Sequence, residues 1–465
     1  MVINPNFSTE VYWKSFREEM RAAWTGTIFA KSHEELASLC YYRMLTAFFQ
    51  CRPEDLQDRR TALYHFASSY FDVEDKNSPL LRYRNILPAD SPIPRIIRLL
   101  SLAYDQEPSR SWGDERTTEL LLNAYKEGNT AVALRELYKV ALLCGVAAIK
   151  PFYFRGKLRY FVLPPDMFRV VTYENDPTEV EKIVYPSERD MGDGRRQRVF
   201  NWYDEEFYWA TDSDGKKIVP ETPHGYGRIP FAIMRLGSGV DFWTGGMYAE
   251  VEQTLRVNLH ELLSVENAVF NGFSILVATN MVSANSVGQT KIRLSAGDVV
   301  QVDARDTESA APSLDYVTPS PQYHELRDEA AAMERAIYRR AGIPPSMTGE
   351  TQQILTGVSR IIERQELIEN RDAHLEILYR FEQDFFQCLA SVANTDGGRS
   401  LPNDLEVDVT FADPTLYMEV KDEYEFDKMK VRDGVMEVLA FSEKWGGNYN
   451  PDAEQQTEPQ DAENV

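Results

Sequence analysis

The chain has little cysteine, little histidine and, against its acid content, little positive charge. Four scattered cysteines (Cys40, Cys51, Cys144, Cys388) in 465 residues do not make a disulfide framework or a zinc site, so a soluble, reducing compartment is expected. Fifty Lys and Arg against 73 Asp and Glu leave a formal net charge of −23. Tight binding of nucleic acid through its phosphates needs clustered Lys and Arg. The charge balance argues against that mode and leaves open a protein that nucleic acid merely passes. The longest apolar run, Val140–Ile149, is about half of the ~20 residues that a bilayer-spanning helix needs. Met1–Ser8 lacks the basic stretch and apolar run of a secretory leader. Neither a leader nor a membrane partner is expected.

The signatures of catalysis are missing as well. No Gly-x-x-x-x-Gly-Lys-Ser/Thr loop exists to cradle phosphates, and Gly237–Gly239 is too short and has no following lysine. His33 and His260 are each followed by glutamate without the second histidine of a zinc protease. The six histidines (His33, His65, His224, His260, His324, His374) are spread along the chain and read as surface or helix-face residues. Asp212, Asp214 and Gly215 look like the start of a calcium loop, but the carboxylate at its far end is absent, so a hairpin turn is expected. Gly194–Arg198 is the one dense basic run and reads as a solvated loop between strands. Asp396–Arg399 reads as a helix stop. Carboxylates are abundant throughout, and no pair stands out as an acid–base couple. No catalytic residue, metal site or cofactor is expected.

What is present is enough for a substantial core: 43% hydrophobic and 12% aromatic residues, in a length that allows roughly two to four domains. Helices are expected over Glu34–Phe49, Pro53–Phe66, a face carrying Ile96, Ile97, Leu99, Leu100 and Ala103, Thr117–Lys126 and Ala131–Cys144, with Leu81–Pro94 as a proline-broken connection. At Gly145 the pattern changes. Val146–Phe154 and Leu158–Leu163 around Arg155–Lys157 read as a β-hairpin, and short strands continue to Met234. A second helical block follows: Met247–Phe270, roughly 36 Å long, then an insert with strands Ser274–Ala278 and Asp298–Val302, then Gln322–Ala341. After a Thr-, Gly- and Gln-rich loop comes one very long helix, Val358–Ala393. A strand over Leu405–Phe411 and a helix over Glu423–Trp445 precede an apolar-poor tail, Pro451–Val465. The two helices around the insert fit either an antiparallel hairpin in an ordinary core or a protruding stalk. The polar residues Arg256, Asn258, His260, Glu261, Glu266 and Asn271 on both sides of the first helix suit a stalk that touches neighbours and water.

The order of these parts resembles tailed-bacteriophage portal proteins, the head-to-tail connector family, from about Leu81 to about Trp445. The residues that carry the resemblance are Asn85 through Ile96, Ile97 and Asp105–Pro108, then Ala141–Ala148 followed by the hairpin and Leu163–Phe168, then Tyr226–Phe231, and Val257, Asn258, Ser264 and Asn267. The resemblance implies an α+β fold with a mixed α/β wing, a two-helix stem, a small β-rich clip insert, a long wing helix and a helical C-terminal crown. In this sequence the parts would be an N-terminal helical region (1–80), wing (81–245), first stem helix (246–271), clip (272–321), second stem helix (322–341), tunnel loop (342–357), long wing helix (358–395), return to the wing and crown (396–450) and a disordered acidic tail (451–465).

It further implies a ring, usually of twelve copies, at one capsid vertex of the virion, assembled in the bacterial host cytoplasm, through which double-stranded DNA is packaged and ejected. Ser346, Met347, Thr348, Thr351, Gln352, Gln353 and Thr356 would face the DNA channel. Asn258, Glu261, Arg327 and Arg335 would belong to the stem. Asn280, Asn285, Gln289, Lys291 and Arg293 would lie in the clip, where the terminase motor and head-completion adaptors dock. Major capsid and scaffolding proteins would be further partners. The protein would not be an enzyme, since ATP hydrolysis would belong to the motor. An acidic ring passes DNA with little friction, because each neutralised phosphate would add affinity and repulsion is screened only beyond ~8–10 Å. Removal of Ile343–Thr356 is expected to leave subunits folded and to impair packaging or DNA retention. Two other readings stand beside this one: a different ring or adaptor protein of the particle, which would lack the stem–clip–stem order, and an acidic soluble enzyme, which would be a small oligomer with a pocket of perturbed carboxylates.

Overall fold

The computed structural model describes residues 33–50, 52–68, 87–113, 115–190, 196–237, 242–243, 245–271, 275–279, 299–302, 313–317, 323–348, 357–402 and 405–412, and helical positions at 424, 427, 428 and 431. The tail after 451 and most of the helix expected over 423–445 lie outside them. Within them the fold class is α+β, with antiparallel sheets set between two helical blocks.

Helices α1 (His33–Phe49) and α2 (Pro53–Ala67) open the described chain. Pro53 sits in the first turn of α2, where a missing N–H costs nothing. The buried Arg59 closes the end of α1. Its guanidinium donates to the carbonyls of Ala47 at 2.6 Å, Phe48 at 3.2 Å and Gln50 at 2.6 Å, groups that a helix end leaves open. A fourth bond, to the Ala89 carbonyl at 3.1 Å, ties the 87–92 connection to the same point. In α3 (Ile93–Leu100), Pro94 lies in the first turn rather than in the connection, and Ala103 falls beyond the helix end. Proline's fixed φ suits helix entry.

A short strand, β1 (Ser109–Ser111), precedes α4 (Glu115–Gly128) and α5 (Thr130–Cys144). Gly145, with φ at 80°, stops α5 and donates its N–H to the Ala141 carbonyl at 2.7 Å, as an αL cap does. Strands β2 (Val146–Phe154) and β3 (Lys157–Leu163) form the expected hairpin. Its two-residue turn, Arg155 and Gly156, has both φ angles positive (53° and 74°), the twist that suits a tight hairpin.

A five-stranded antiparallel sheet follows in chain order: β4 (Arg169–Tyr173), β5 (Asp176–Asp190), β6 (Arg196–Tyr203), β7 (Phe207–Thr211) and β8 (Lys217–Pro223). Residues 196–198 of the basic run belong to β6 rather than to a loop, in register with 188–190 of β5. Arg198 opposite Glu188 is a favourable cross-strand pair, so the ladder runs further than apolar pattern alone indicates. Asp212 Oδ1 accepts the N–H groups of Asp214 at 3.0 Å and Lys216 at 2.8 Å, making the expected turn between β7 and β8. β9 (Ala232–Arg235) returns to pair with β2, completing a second sheet of order β3-β2-β9.

α6 (Tyr248–Asn271) and α7 (Tyr323–Arg340) bracket a small sheet. Its central strand, β10 (Ile275–Thr279), is parallel to β11 (Val299–Val302) and antiparallel to β12 (Ser313–Val317). β12 is a strand that the sequence reading did not anticipate. One helical turn, α8 (Pro345–Thr348), precedes the 39-residue α9 (Gly357–Thr395), about 58 Å long. α9 ends where Arg399 N–H reaches back to the Ala393 carbonyl at 3.1 Å across Gly398, with φ at 60°, a Schellman closure. The strand expected over 405–411 shrinks to β13 (Asp408–Thr410), paired with β1. Side chains on α9 take the ladder's place before it: the Gln383 and Gln387 amides donate to the Leu405 carbonyl, and Gln383 Oε1 accepts the Val407 N–H at 2.9 Å.

Three apolar cores result among the described residues. One joins α1, α2, α3, α6 and α7. The second packs α4, α5, β2, β3 and β9 on the C-terminal half of α9, and a smaller third holds Val146, Ala148, Leu163, Phe168, Ile183, Phe231 and Phe242. Inside the second, Arg110 and Glu382 are both buried and paired through two 2.8 Å contacts, and Tyr104 adds a 2.7 Å bond to the carboxylate.

Candidate functional site

The α6–α7 hairpin is built by apolar periodicity. Val251, Leu255, Leu259 and Leu262 of α6 are buried, at the spacing of one helical face. Cross-helix pairs fix the antiparallel course: Arg340 Nε lies 3.9 Å from Glu250, and His260 Nδ1 lies 3.7 Å from Glu329. The polar residues of α6 divide. Asn258 and Glu266 are buried in the subunit, so they do not face water as expected. The reason is that α6 shares its core with α1 and α2 as well as α7. The Asn258 amide donates to the Asp90 carbonyl at 3.0 Å, so it holds the 87–92 connection against the helix. Glu261 is half-buried. Burial raises its carboxyl pKa, and Asp90 and Glu334 raise it further against a lowering by Arg327. Asn258, Glu261, Asp90 and Glu334 line a cavity of about 240 Å³ together with Arg95 and Thr254. α7 presents most of its surface outward. It buries Ala330, Ile337 and Tyr338 and leaves Arg327 and Arg335 exposed.

The segment after α7 turns at Gly342, where φ is 69°. A Cβ there would meet Asn370 Nδ2 at 2.9 Å and Glu366 Oε1 at 3.2 Å, so α7 ends in close contact with α9. Ile343 and Pro344 are buried, and Arg95 donates to the Met347 carbonyl at 2.6 Å. Thr348 donates back to the Pro345 carbonyl at 2.7 Å. Ser346 falls within α8. Thr351, Gln352, Gln353 and Thr356 lie outside the described residues, as do Asn280, Asn285, Gln289, Lys291 and Arg293. The structure therefore brings together Asn258, Glu261 and the 345–348 turn around Arg95 and Asp90. The last two were missed in the sequence. The only available signal was their place in a proline-broken stretch that had to cross a helix.

Two of the histidines, His224 and His374, are less exposed than the spread along the chain suggests. His224 stacks on Tyr226 at 4.8 Å, and His374 contacts the Tyr138 hydroxyl at 3.3 Å, with burial lowering its pKa. Among the described residues, no group of three or more His, Cys, Asp and Glu side chains could hold a metal ion, and no helix is long and apolar enough to cross a membrane.

Residues 101–417, more than half of the chain, match the family model described as phage portal protein, SPP1 Gp6-like. The chain belongs to this portal family. It is a structural family, and its members form an oligomeric ring at a capsid vertex of the virion, associated with other virion proteins. No curated protein matches the chain. Among solved structures, the neck of an empty GTA particle computed with C6 symmetry is similar at 16% identity, covering 80% of this chain and 93% of that one, with a TM-score of 0.44. The virion of a native gene transfer agent particle is similar at 15% identity, covering 82% and 97%, with a TM-score of 0.40.

Proposed function

We propose that α6 and α7 are the stem of this portal, that the β10–β12 insert is the clip on which the packaging motor and head-completion adaptors dock, and that 342–357 is the loop nearest the DNA. The observation that carries this reading is the chain order itself. A helix, a small sheet, an antiparallel return helix, a glycine turn and then a 39-residue helix follow the order that a two-helix stem with a clip at its tip would have. The exposed, mixed-charge surface of α7, with Arg327 and Arg335, supports contact with neighbouring copies and with water, since a helix that buries one narrow stripe in its own subunit has the rest to offer. The DNA would be held weakly, because the chain carries a net charge of −23 and few phosphate contacts means little affinity. No chemistry is assigned to the subunit. ATP hydrolysis would come from a separate motor.

Native mass, with negative-stain images of the same sample, tests the reading. The expected result is a ring of about twelve chains, roughly 640 kDa from a 53.4 kDa subunit under closed cyclic symmetry, with a central hole. A small closed dimer or tetramer without a channel, formed also in the presence of capsid and scaffold, would sink it.

A further inference from the structure

The far end of β2 carries an abrupt reversal of charge. In a chain with 73 acidic and 50 basic residues, the stretch Phe154–Phe161 holds Arg155, Lys157 and Arg159 and no acid. All three are exposed, and among the described residues none of them forms an ion pair. The Arg155 guanidinium lies over the Phe154 ring at 5.2 Å. Phe154 itself is 56% exposed and Phe161 39%. A hairpin tip that displays aromatic rings between unpaired cations is a poor solvent surface and a good contact surface.

Unpaired carboxylates gather beside the first half of the same strand. Val146, the first residue of β2, is in register with Arg235, whose guanidinium donates to the Thr178 carbonyl at 3.4 Å. Glu179 and Glu205 line a cavity of about 710 Å³ that Arg235 borders. The exposed Tyr173 hydroxyl is pushed up by Glu205 first, then by burial, Glu179, Glu181 and Asp204, so several carboxylates converge on one ring. The cavity's other cations are engaged: Arg228 with Asp384 at 2.8 Å and Arg380 with Glu376 at 2.6 Å. Glu179 and Glu205 make no ion pair among the described residues. Lys150, midway along β2, bonds the Tyr203 hydroxyl two residues before Glu205, and four steps of ~3.3 Å carry the strand about 13 Å further to Phe154. The basic turn is thus offset along the strand from the acids, and two unlike, offset faces on one subunit suit a head-to-tail ring contact.

We propose that the Phe154–Phe161 hairpin of one subunit docks on the Glu179 and Glu205 side of the next copy, as a charge-matched contact of the ring wall. The proposal rests on the ring reading and adds the face on which the ring closes. Basic and aromatic residues together also suit a nucleic-acid strand. The acidic counter-face on the same chain favours a second copy instead.

Two variants test it. One carries Arg155→Glu, Lys157→Glu and Arg159→Glu; the other carries Glu179→Lys and Glu205→Lys. Each alone is expected to need at least about tenfold more protein to form rings, since like charges now face each other across every contact. Mixed one to one, they should assemble, because each reversed face then meets a reversed partner. Circular dichroism and thermal unfolding of both variants check that the subunits fold. Should the triple variant fail to fold, the pair Lys157→Cys and Glu205→Cys is used instead, and is expected to give oxidised ladders of linked subunits. Rings from either charge variant at wild-type concentration would overturn the proposal, as would no recovery on mixing or no ladder. So would normal rings that only lose affinity for linear duplex DNA, which would make the hairpin a nucleic-acid contact. A wild-type chain that stays monomeric with capsid and scaffold would instead sink the ring reading, and the proposed contact with it.

Discussion

Single residues in this subunit are under unusual electrostatic load. Arg110 and Glu382 are sealed in an aromatic core, with the guanidinium also 5.0 Å from the Tyr125 ring and 5.5 Å from the Phe386 ring. Removing one partner leaves a bare buried charge. Glu382→Gln should therefore cost about 3–5 kcal/mol, while replacing both by apolar residues of similar volume should recover most of that loss. Urea midpoints of the single and double variants check this, and a single variant as stable as wild type would refute it. Lys150 is loaded in another way. Its ammonium is buried, 4.0 Å from the Tyr203 ring centre and 2.7 Å from that residue's hydroxyl, and burial pushes it down to about 8. The unfolded chain keeps about 10.4, so between those values it is the unfolded state that binds the extra proton. Stability then rises with pH across that window, by up to about 1.4 kcal/mol per unit. The ring faces favour the cation and trim the slope. Lys150→Met should flatten it. The difference between the two proteins from pH 7.5 to 9.5 isolates the lysine, because other titrating groups are common to both, and parallel curves would refute the assignment.

At the scale of elements, the strongest expectation concerns the joint between α7 and α9. Gly342→Ala combines a left-handed backbone with a Cβ 2.9 Å from Asn370 Nδ2. The backbone part alone costs roughly 1–2 kcal/mol, and the neighbour must also move. The variant should melt lower than wild type, and a matching melt would show that the turn is not held as described. Such joints mark where sequence reading succeeded and where it stopped. The α5–Gly145–β2 junction and the Arg155–Gly156 hairpin were legible because glycine and tight turns carry their own local geometry. Gly342 was legible as a helix stop, but not as a contact with Glu366, since nothing local records what lies across the core. β1 and β13 are three residues each and pair across some 300 positions, which no window along the chain can see. Asn258 was read as exposed because its polarity fits a stalk. Burial followed from the Asp90 carbonyl it serves, again a partner remote in sequence. The order of the large parts was legible because periodicity over long helices is a strong signal. The residues of the insert and loop that would touch DNA or motor were named by resemblance alone.

At the scale of the whole molecule, the question is how much of the loop can be removed while the subunit still folds. Deleting Ile343–Thr356 outright asks Gly342 and Gly357 to become neighbours, about 3.8 Å apart. Gly342, however, packs against Glu366, nine residues and about 13 Å along α9 from its start. Joining them would unwind the first turns of that helix, and Ile343, which is 1% exposed, would also leave the core. The full deletion is therefore expected to damage the subunit, contrary to what the sequence suggested. A cleaner variant keeps 343–348 and replaces Thr351, Gln352, Gln353 and Thr356 by glycine and serine. If these positions meet the DNA, rings of this variant should form at wild-type concentration and stability but package less DNA or release it sooner. The two readouts separate the outcomes. Lost rings would mean that the segment holds subunits together. Intact rings with wild-type packaging and retention would remove it from the channel altogether.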